Sequence, residues 1–145
     1  MKAVVQRVTG AKLGCEGKLV SEIKKGLVVY FGVAEGDGYE SASYLAKKIS
    51  NLRVFEDENG KMNLSVKDVS GEVLAVSQFT LLADVSHGNR PSFSSAEKPD
   101  KANDVYEFFI NALKDENVVV KKGVFGGDMK IEQYNDGPVT IIYEI

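Results

Sequence analysis

The stretch Gly26-Leu-Val-Val-Tyr-Phe-Gly-Val-Ala34 constrains this chain most, because it is apolar on both alternations of an extended strand. A strand with one wet face alternates apolar and polar residues, whereas one apolar on both faces must be covered on both. Val73-Leu-Ala-Val76 has the same character and reads as a second buried strand. The chain therefore needs a sheet with material packed on each side. Its 145 residues suffice for this as one domain spanning residues 1–145.

The rest of the sequence supplies the cover. Residues 2–9 and 11–15 read as strand, and 18–23 returns after Glu16-Gly17 as a hairpin. Asp37-Gly-Tyr-Glu40 has the spacing of a capping box with Asp37 as the cap. The helix it opens carries Ala42, Leu45, Ile49 and Leu52 on one stripe. Asp57-Glu-Asn-Gly60 is a turn, and 73–82 reads as the central strand. Residues 84–99 collect Asp, Ser, His, Gly, Asn and Pro into a loop of a length that is usually functional or disordered. A second helix starts near Pro99-Asp100, with Val105, Phe108, Phe109, Ala112 and Leu113 at helical spacing. Strands are expected at 117–121, 128–134 and 139–145. Many strands with two helices, out of strict alternation, make an α+β chain.

Composition narrows the class. Hydrophobic residues at 43% and charged residues at 27% are ordinary globular values. The single cysteine, Cys15, excludes an internal disulfide and suits a reducing compartment. The opening Met-Lys-Ala-Val-Val-Gln-Arg lacks the apolar core of a signal peptide, and no apolar run approaches a membrane span, so the expected location is the cytoplasm. A net charge of −3 argues against wide wrapping of nucleic acid but allows local contact with one end of an RNA. Lys24-Lys25, Lys47-Lys48 and Lys121-Lys122 are candidates for phosphate contacts or simply solvated surface.

Two segments carry chemistry. Ser77-Gln78-Phe79-Thr80-Leu81 closes the apolar run and sets two hydroxyls and an amide at a strand end. Asn135-Asp136-Gly137-Pro138-Val139-Thr140 is a turn signal feeding a β-rich tail. Its Gly-Pro bond adopts the cis form far more cheaply than an ordinary peptide bond. Ser77 and Thr80 are candidate nucleophiles, but activation needs a base, and the only histidine is His87 in the following loop. Asp84, Ser86 and His87 lie too close in sequence to form a triad without contortion. A labile ester needs only positioning and charge stabilisation, which backbone N–H groups around Phe79-Thr80 are able to supply to an oxyanion. The attacking group would be water or a neighbouring hydroxyl of the substrate. One histidine and one distant cysteine make no metal cluster, and no phosphate loop or dinucleotide fingerprint is present, so no metal or cofactor is expected.

Val5-Gln6-Arg7-Val8, Gly60-Lys-Met-Asn-Leu64, Gly88-Asn-Arg-Pro-Ser-Phe93 and Phe125-Gly-Gly-Asp-Met129 accompany these two segments in order. Together, over nearly the whole length, they resemble the signature of the D-aminoacyl-tRNA deacylases, also called D-tyrosyl-tRNA deacylases. The resemblance implies a rolled, mostly antiparallel, barrel-like sheet with two main helices packed outside, in a homodimer. It implies hydrolysis of the ester of D-aminoacyl-tRNA, and of glycyl-tRNA mischarged on tRNA-Ala, with no cofactor and with the tRNA 3′ end as partner. Ser77, Gln78, Phe79 and Thr80 would form the catalytic segment, and Phe125 and Met129 the wall holding the terminal adenosine. Gly137-Pro138 would be cis, entering the other subunit's site so that its carbonyls collide with an L side chain, and Arg7 would brace it. Glycine has no side chain to reject. For Phe125 and Met129 the alternative is ordinary core packing, and for Arg7 a charge on the solvent face of a strand. Gly127, where many members carry alanine, and His87, where a basic residue often stands, depart from the pattern. Two other readings of the residues are a noncatalytic nucleic-acid-binding dimer and a Thr80-dependent small-molecule esterase.

Overall fold

The structure, a computed structural model, describes residues 1–145. Its strands are β1 (Lys2–Cys15), β2 (Lys18–Ile23), β3 (Gly26–Gly32), β4 (Phe55–Glu56), β5 (Met62–Leu64), β6 (Glu72–Ser77), β7 (Val119–Lys122) and β8 (Met129–Glu144). The helices are α1 (Tyr39–Ser50) and α2 (Pro99–Asp115), with a single 3₁₀ turn at Phe79–Leu82.

β1 organises the sheet. Along one edge it pairs antiparallel with β8 from Lys2↔Glu144 to Cys15↔Met129. Along the other it pairs with β3 through Lys2–Val8, then with β2 through Ala11–Cys15. The sheet continues from β3 through parallel β6 and β7. At its far end the Ser21 hydroxyl of β2 donates to the Lys122 carbonyl of β7 at 2.6 Å, so the sheet rolls nearly closed. Glu16 and Gly17, both at positive φ, make the tight β1–β2 hairpin.

The two-sided strand is covered on both faces. Leu27, Val29 and Phe31 join Val73 and Ala75 in the core beneath the helices, whereas Val28 joins Leu74 and Val76 inside the roll with Val8, Ala11, Leu13 and Ile23. Ala42, Leu45 and Ile49 of α1 and Val105, Phe109 and Leu113 of α2 are buried in the helix-side core. Phe31 stacks on Phe109 with centroids 4.2 Å apart. Tyr106 donates its hydroxyl to the Ala75 carbonyl at 2.8 Å, and burial pushes its pKa up. Phe108 sits on the outer side of α2 against Tyr39, with centroids 4.7 Å apart. No helix is long and apolar enough to cross a membrane.

Several local expectations change. Asp37 does not cap α1, whose N-cap is Gly38 without a side-chain bond. The Asp37 carboxylate instead accepts from the Ala34 amide at 2.8 Å and pairs with the buried Met1 amino group at 2.7 Å. An ammonium taken out of water needs a charged partner more than a helix end needs a cap. Leu52 lies just beyond α1 yet still packs on the core. The segments 2–9 and 11–15 are one strand, as are 128–134 and 139–145, because β1 and β8 pair continuously past their irregularities. The strand expected over 73–82 ends at Ser77.

Gly26 shows how tightly β3 and β6 meet, since a Cβ there would lie 1.8 Å from the Glu72 carbonyl oxygen, a backbone atom that cannot swing away. Gly26→Ala is expected to destabilise the protein by about 3 kcal/mol or more, as a backbone clash in a packed interior does. Urea unfolding followed by circular dichroism measures it.

Candidate functional site

The apolar run of β6 ends where the Gln78 amide donates to the Phe31 carbonyl at 2.8 Å, the final bond before the chain turns. It turns because β3 ends in Gly32. A Cβ there would lie 2.5 Å from Leu82 Cδ2 and 2.9 Å from the Gln78 carbonyl oxygen, so the 3₁₀ turn folds over a position only glycine leaves open. This turn, the 93–99 segment and the 125–129 segment enclose a cavity of about 690 Å³. Ser77, Gln78, Phe79, Phe125 and Met129 all line it. Phe125 also meets Tyr106, with centroids 6.2 Å apart, so it serves wall and core together.

Thr80 stands exposed beside the cavity, and its Oγ1 accepts a hydrogen bond from Gln78 Nε2. His87 is exposed in the loop and makes no hydrogen bond to Thr80, whose one side-chain partner is the Gln78 amide. Asp84 is held by Ser86: its carboxyl accepts the Ser86 hydroxyl at 2.6 Å and its amide at 2.9 Å, which lowers its pKa. Nowhere do three His, Cys, Asp or Glu side chains converge.

The 93–99 wall contains residues the sequence reading passed over. Phe93 packs edge-on against Phe79 with centroids 5.1 Å apart, and Glu97 and Lys98 line the cavity. Glu97 accepts from Lys101 Nζ at 2.7 Å and from the amides of Lys98 at 2.9 Å and Gly36 at 3.2 Å. Its pKa falls to about 2, through Lys101 first and the two amides next. The Glu97-to-Lys101 spacing at i,i+4 is the signal that was available. None of the three lysine pairs lines the cavity. Lys25 lies over the Phe55 ring, Lys48 over the Tyr44 ring, and Lys122 pairs with Glu107 at 2.6 Å.

Gly127 leaves its side-chain space to a neighbour. A Cβ there would lie 2.9 Å from Cys15 Sγ and 3.2 Å from Val124, so in this chain the sulfur occupies the space of the missing methyl.

The Asn-Asp-Gly-Pro segment is a bulge rather than a turn between strands. Val8 pairs with Asn135 and Gln6 with Thr140, so residues 136–139 of β8 stand opposite Arg7 alone. The Gly137–Pro138 bond is cis. Arg7 is buried, not on a solvent face: its Nε donates to the Asp136 carbonyl at 3.1 Å and lies 3.2 Å from the Asp136 carboxylate, and its Nη1 donates to the Val54 carbonyl at 2.6 Å. Gly137, at φ +124°, is where a side chain would be strained and would press on Val139 and on Arg7 Nη2.

Within one chain the bulge and the cavity stay apart. Arg7 pairs with Leu27 at one end of β3, whereas Ser77 pairs with Phe31 near the other. At about 3.3 Å per residue, the offset from Leu27 to Phe31 is roughly 13 Å along the strand alone.

Glu97 yields a pH prediction. Its carboxyl is depressed in the folded state, so its contribution to stability is present above the ordinary value of 4.5 and is lost as pH falls towards about 2. Glu97→Gln is expected to be less stable than the parent at neutral pH and to lose less stability over that acid range. Thermal unfolding across the range measures it.

A family model described as D-Tyr-tRNA(Tyr) deacylase matches residues 4–144. The D-aminoacyl-tRNA deacylase of Carboxydothermus hydrogenoformans is 52% identical over 145 residues, covering 100% of each chain. That of Thermosipho africanus is 52% identical over 144 residues, covering 99% of this chain and 97% of the relative. A solved c-Myc DNA Unwinding Element Binding Protein superposes with a TM-score of 0.93 at 42% identity, covering 100% of this chain and 99% of the other. A probable eukaryotic D-amino acid tRNA deacylase shares the fold, with a TM-score of 0.83 at 16% identity, covering 99% of this chain and 98% of the other. On a match that spans nearly every residue, and with half of its positions shared with the two bacterial relatives, this chain belongs to the D-Tyr-tRNA(Tyr) deacylase family.

Proposed function

We propose that this chain hydrolyses the ester joining a D-amino acid, or glycine, to the 3′ end of tRNA, working in the cytoplasm as a homodimer of one-domain subunits. The observation that carries this reading is the cavity beside Ser77–Thr80, lined by Phe79, Phe125 and Met129, with no base hydrogen-bonded to the Thr80 hydroxyl. The terminal adenosine would lie in that cavity. The amides of Phe79 and Thr80 precede the first bond of the 3₁₀ turn, from the Leu81 amide to the Gln78 carbonyl, and belong to the donors a helical start leaves free. They are suited to take the oxyanion. Water attacks the acyl carbon and gives up a proton, the bond to the ribose ester oxygen breaks, and that oxygen takes up a proton. Where the neighbouring ribose hydroxyl attacks first, the acyl group passes to it and water then cleaves that second ester in the same way. Release from the enzyme leaves the free amino acid and tRNA.

Chirality requires the Gly137–Pro138 carbonyls at the α-carbon, where an L side chain would collide and a D side chain or a hydrogen would not. One chain holds them at the wrong end of its own sheet, which supports a second copy. The row Ile142–Val4–Tyr30 crosses β8, β1 and β3 on the face away from the helices, and Ile142 is 69% exposed. A two-fold axis in the plane of that face, between its ends, would set each copy's bulge against its partner's Ser77–Thr80 corner. Light scattering at assay concentration should give twice the chain mass; a fully active monomer would sink the arrangement.

The name of one solved relative points to DNA binding, which keeps the noncatalytic reading alive, and a single assay separates the two. Incubated with D- and L-tyrosyl-tRNA, the protein should release tyrosine from the D ester and spare the L ester, whereas a simple binder would release neither. Thr80→Ala should slow release by no more than about tenfold, the worth of one hydrogen bond, and Thr80→Tyr should block it by filling the site. An acyl group trapped on Thr80 would instead favour the Thr80-dependent esterase.

A further inference from the structure

Arg7 holds the bulge from the side of the helices, and its neighbour Gln6 points to the other face of β1, since adjacent strand residues alternate. On that face a chain of side-chain hydrogen bonds runs between strands. The Tyr30 hydroxyl donates to Gln133 Oε1 at 3.0 Å. Gln133 Nε2 donates to Gln6 Oε1 at 2.6 Å and also to Asn135 Oδ1. Gln6 Nε2 then donates to Thr140 Oγ1 at 3.2 Å. Each amide accepts on its oxygen and donates from its nitrogen, so both glutamines work in one direction along the relay.

The end points give the relay its meaning. Asn135 and Thr140 are the last paired residues on either side of the bulge, facing Val8 and Gln6 across β1. Residues 136–139 have no partner in the β1 ladder, so what fixes them is what fixes these two ends. Arg7 adds a hold on the first bulge residue, Asp136. We propose that Gln6 and Gln133 are positioning residues that tie both ends of the Asp136–Val139 bulge to β1 and β3, and so set where its carbonyls stand relative to the substrate's α-carbon. This rests on the reading of the bulge as the element that rejects L-amino acids.

The experiment is single-turnover deacylation of D-tyrosyl-, glycyl- and L-tyrosyl-tRNA by the parent, Gln6→Leu, Gln133→Leu and the double variant. Each single substitution should narrow the ratio of D to L rates about tenfold, the scale of one lost hydrogen bond. The maximal rate should carry the change while the KM for the tRNA end stays put, because the adenosine cavity is built from other residues. The double variant should lose less than the product of the two single losses, since both substitutions break the shared Gln133–Gln6 link. Gln6→Glu should recover part of the ratio, because a carboxylate accepts from both Gln133 Nε2 and the Thr140 hydroxyl. Thr140→Val, which keeps the shape and removes one link, should show the loss even if Gln6→Leu fails to fold. An unchanged ratio in the single variants, or losses that multiply in the double one, would overturn the inference. So would rates that fall in step with thermal stability at constant ratio. A parent inactive on D-tyrosyl-tRNA would bring down the function itself, a result distinct from an active, selective parent whose variants are equally selective.

Discussion

The molecule depends on β1 keeping one partner while it exchanges another. β8 stays paired along the whole strand, and β3 gives way to β2 between Val8 and Ala11. The register with β8 slips at this crossing, between Gln6 and Val8 and again between Val8 and Gly10. Extra residues in one strand bend and twist a ladder. The device that rolls the sheet towards β7 is therefore the same device that throws residues 136–139 out as a bulge. Fold and candidate site share the same irregular stretch of β1 and β8.

That arrangement sets a demand on Arg7. A guanidinium this deep in the protein is tolerated only with its donors satisfied and a negative charge beside it. The Val54 and Asp136 carbonyls and the Asp136 carboxylate meet that demand, joining the core beside α1 to the bulge. The opposite face of β1 uses neutral amides, because Gln6 and Gln133 lie where water still reaches. The bulge is thus held by charge from one side and by directional hydrogen bonds from the other.

The cavity end follows a different logic, that of missing side chains. Gly32 lets the 3₁₀ turn fold over the end of β3, and Gly127 leaves room for the Cys15 sulfur. The walls come from loops, but these loops are tied down: the Glu97 carboxylate binds the 93–99 segment to Gly36 and to the start of α2. Aromatic faces at Phe79, Phe93 and Phe125 then line the cavity these loops enclose.

Much of this was legible in residue order alone. The two-sided burial of 26–34, the stripes of both helices and the Asp57–Gly60 turn depend on periodicity and turn chemistry, which are local. The segments around Ser77, Phe125, Gly137 and Arg7 were readable as a set, and five of the site residues named from them, Ser77, Gln78, Phe79, Phe125 and Met129, meet at one cavity. Periodicity says which face a residue presents but not what lies across from it. Hence Asp37 looked like a cap until a buried ammonium claimed it, and the chain past Ser77 looked like strand until Gly32 let it turn. Glu97 and the Gln6–Gln133 relay acquire meaning only through partners 61 and 127 residues away in sequence. Only the tertiary structure decided that the Gly-Pro segment is a bulge inside a continuous strand, at the opposite end of the sheet from the cavity. Strand partners and register are set by closing the roll, a long-range condition that no local pattern encodes.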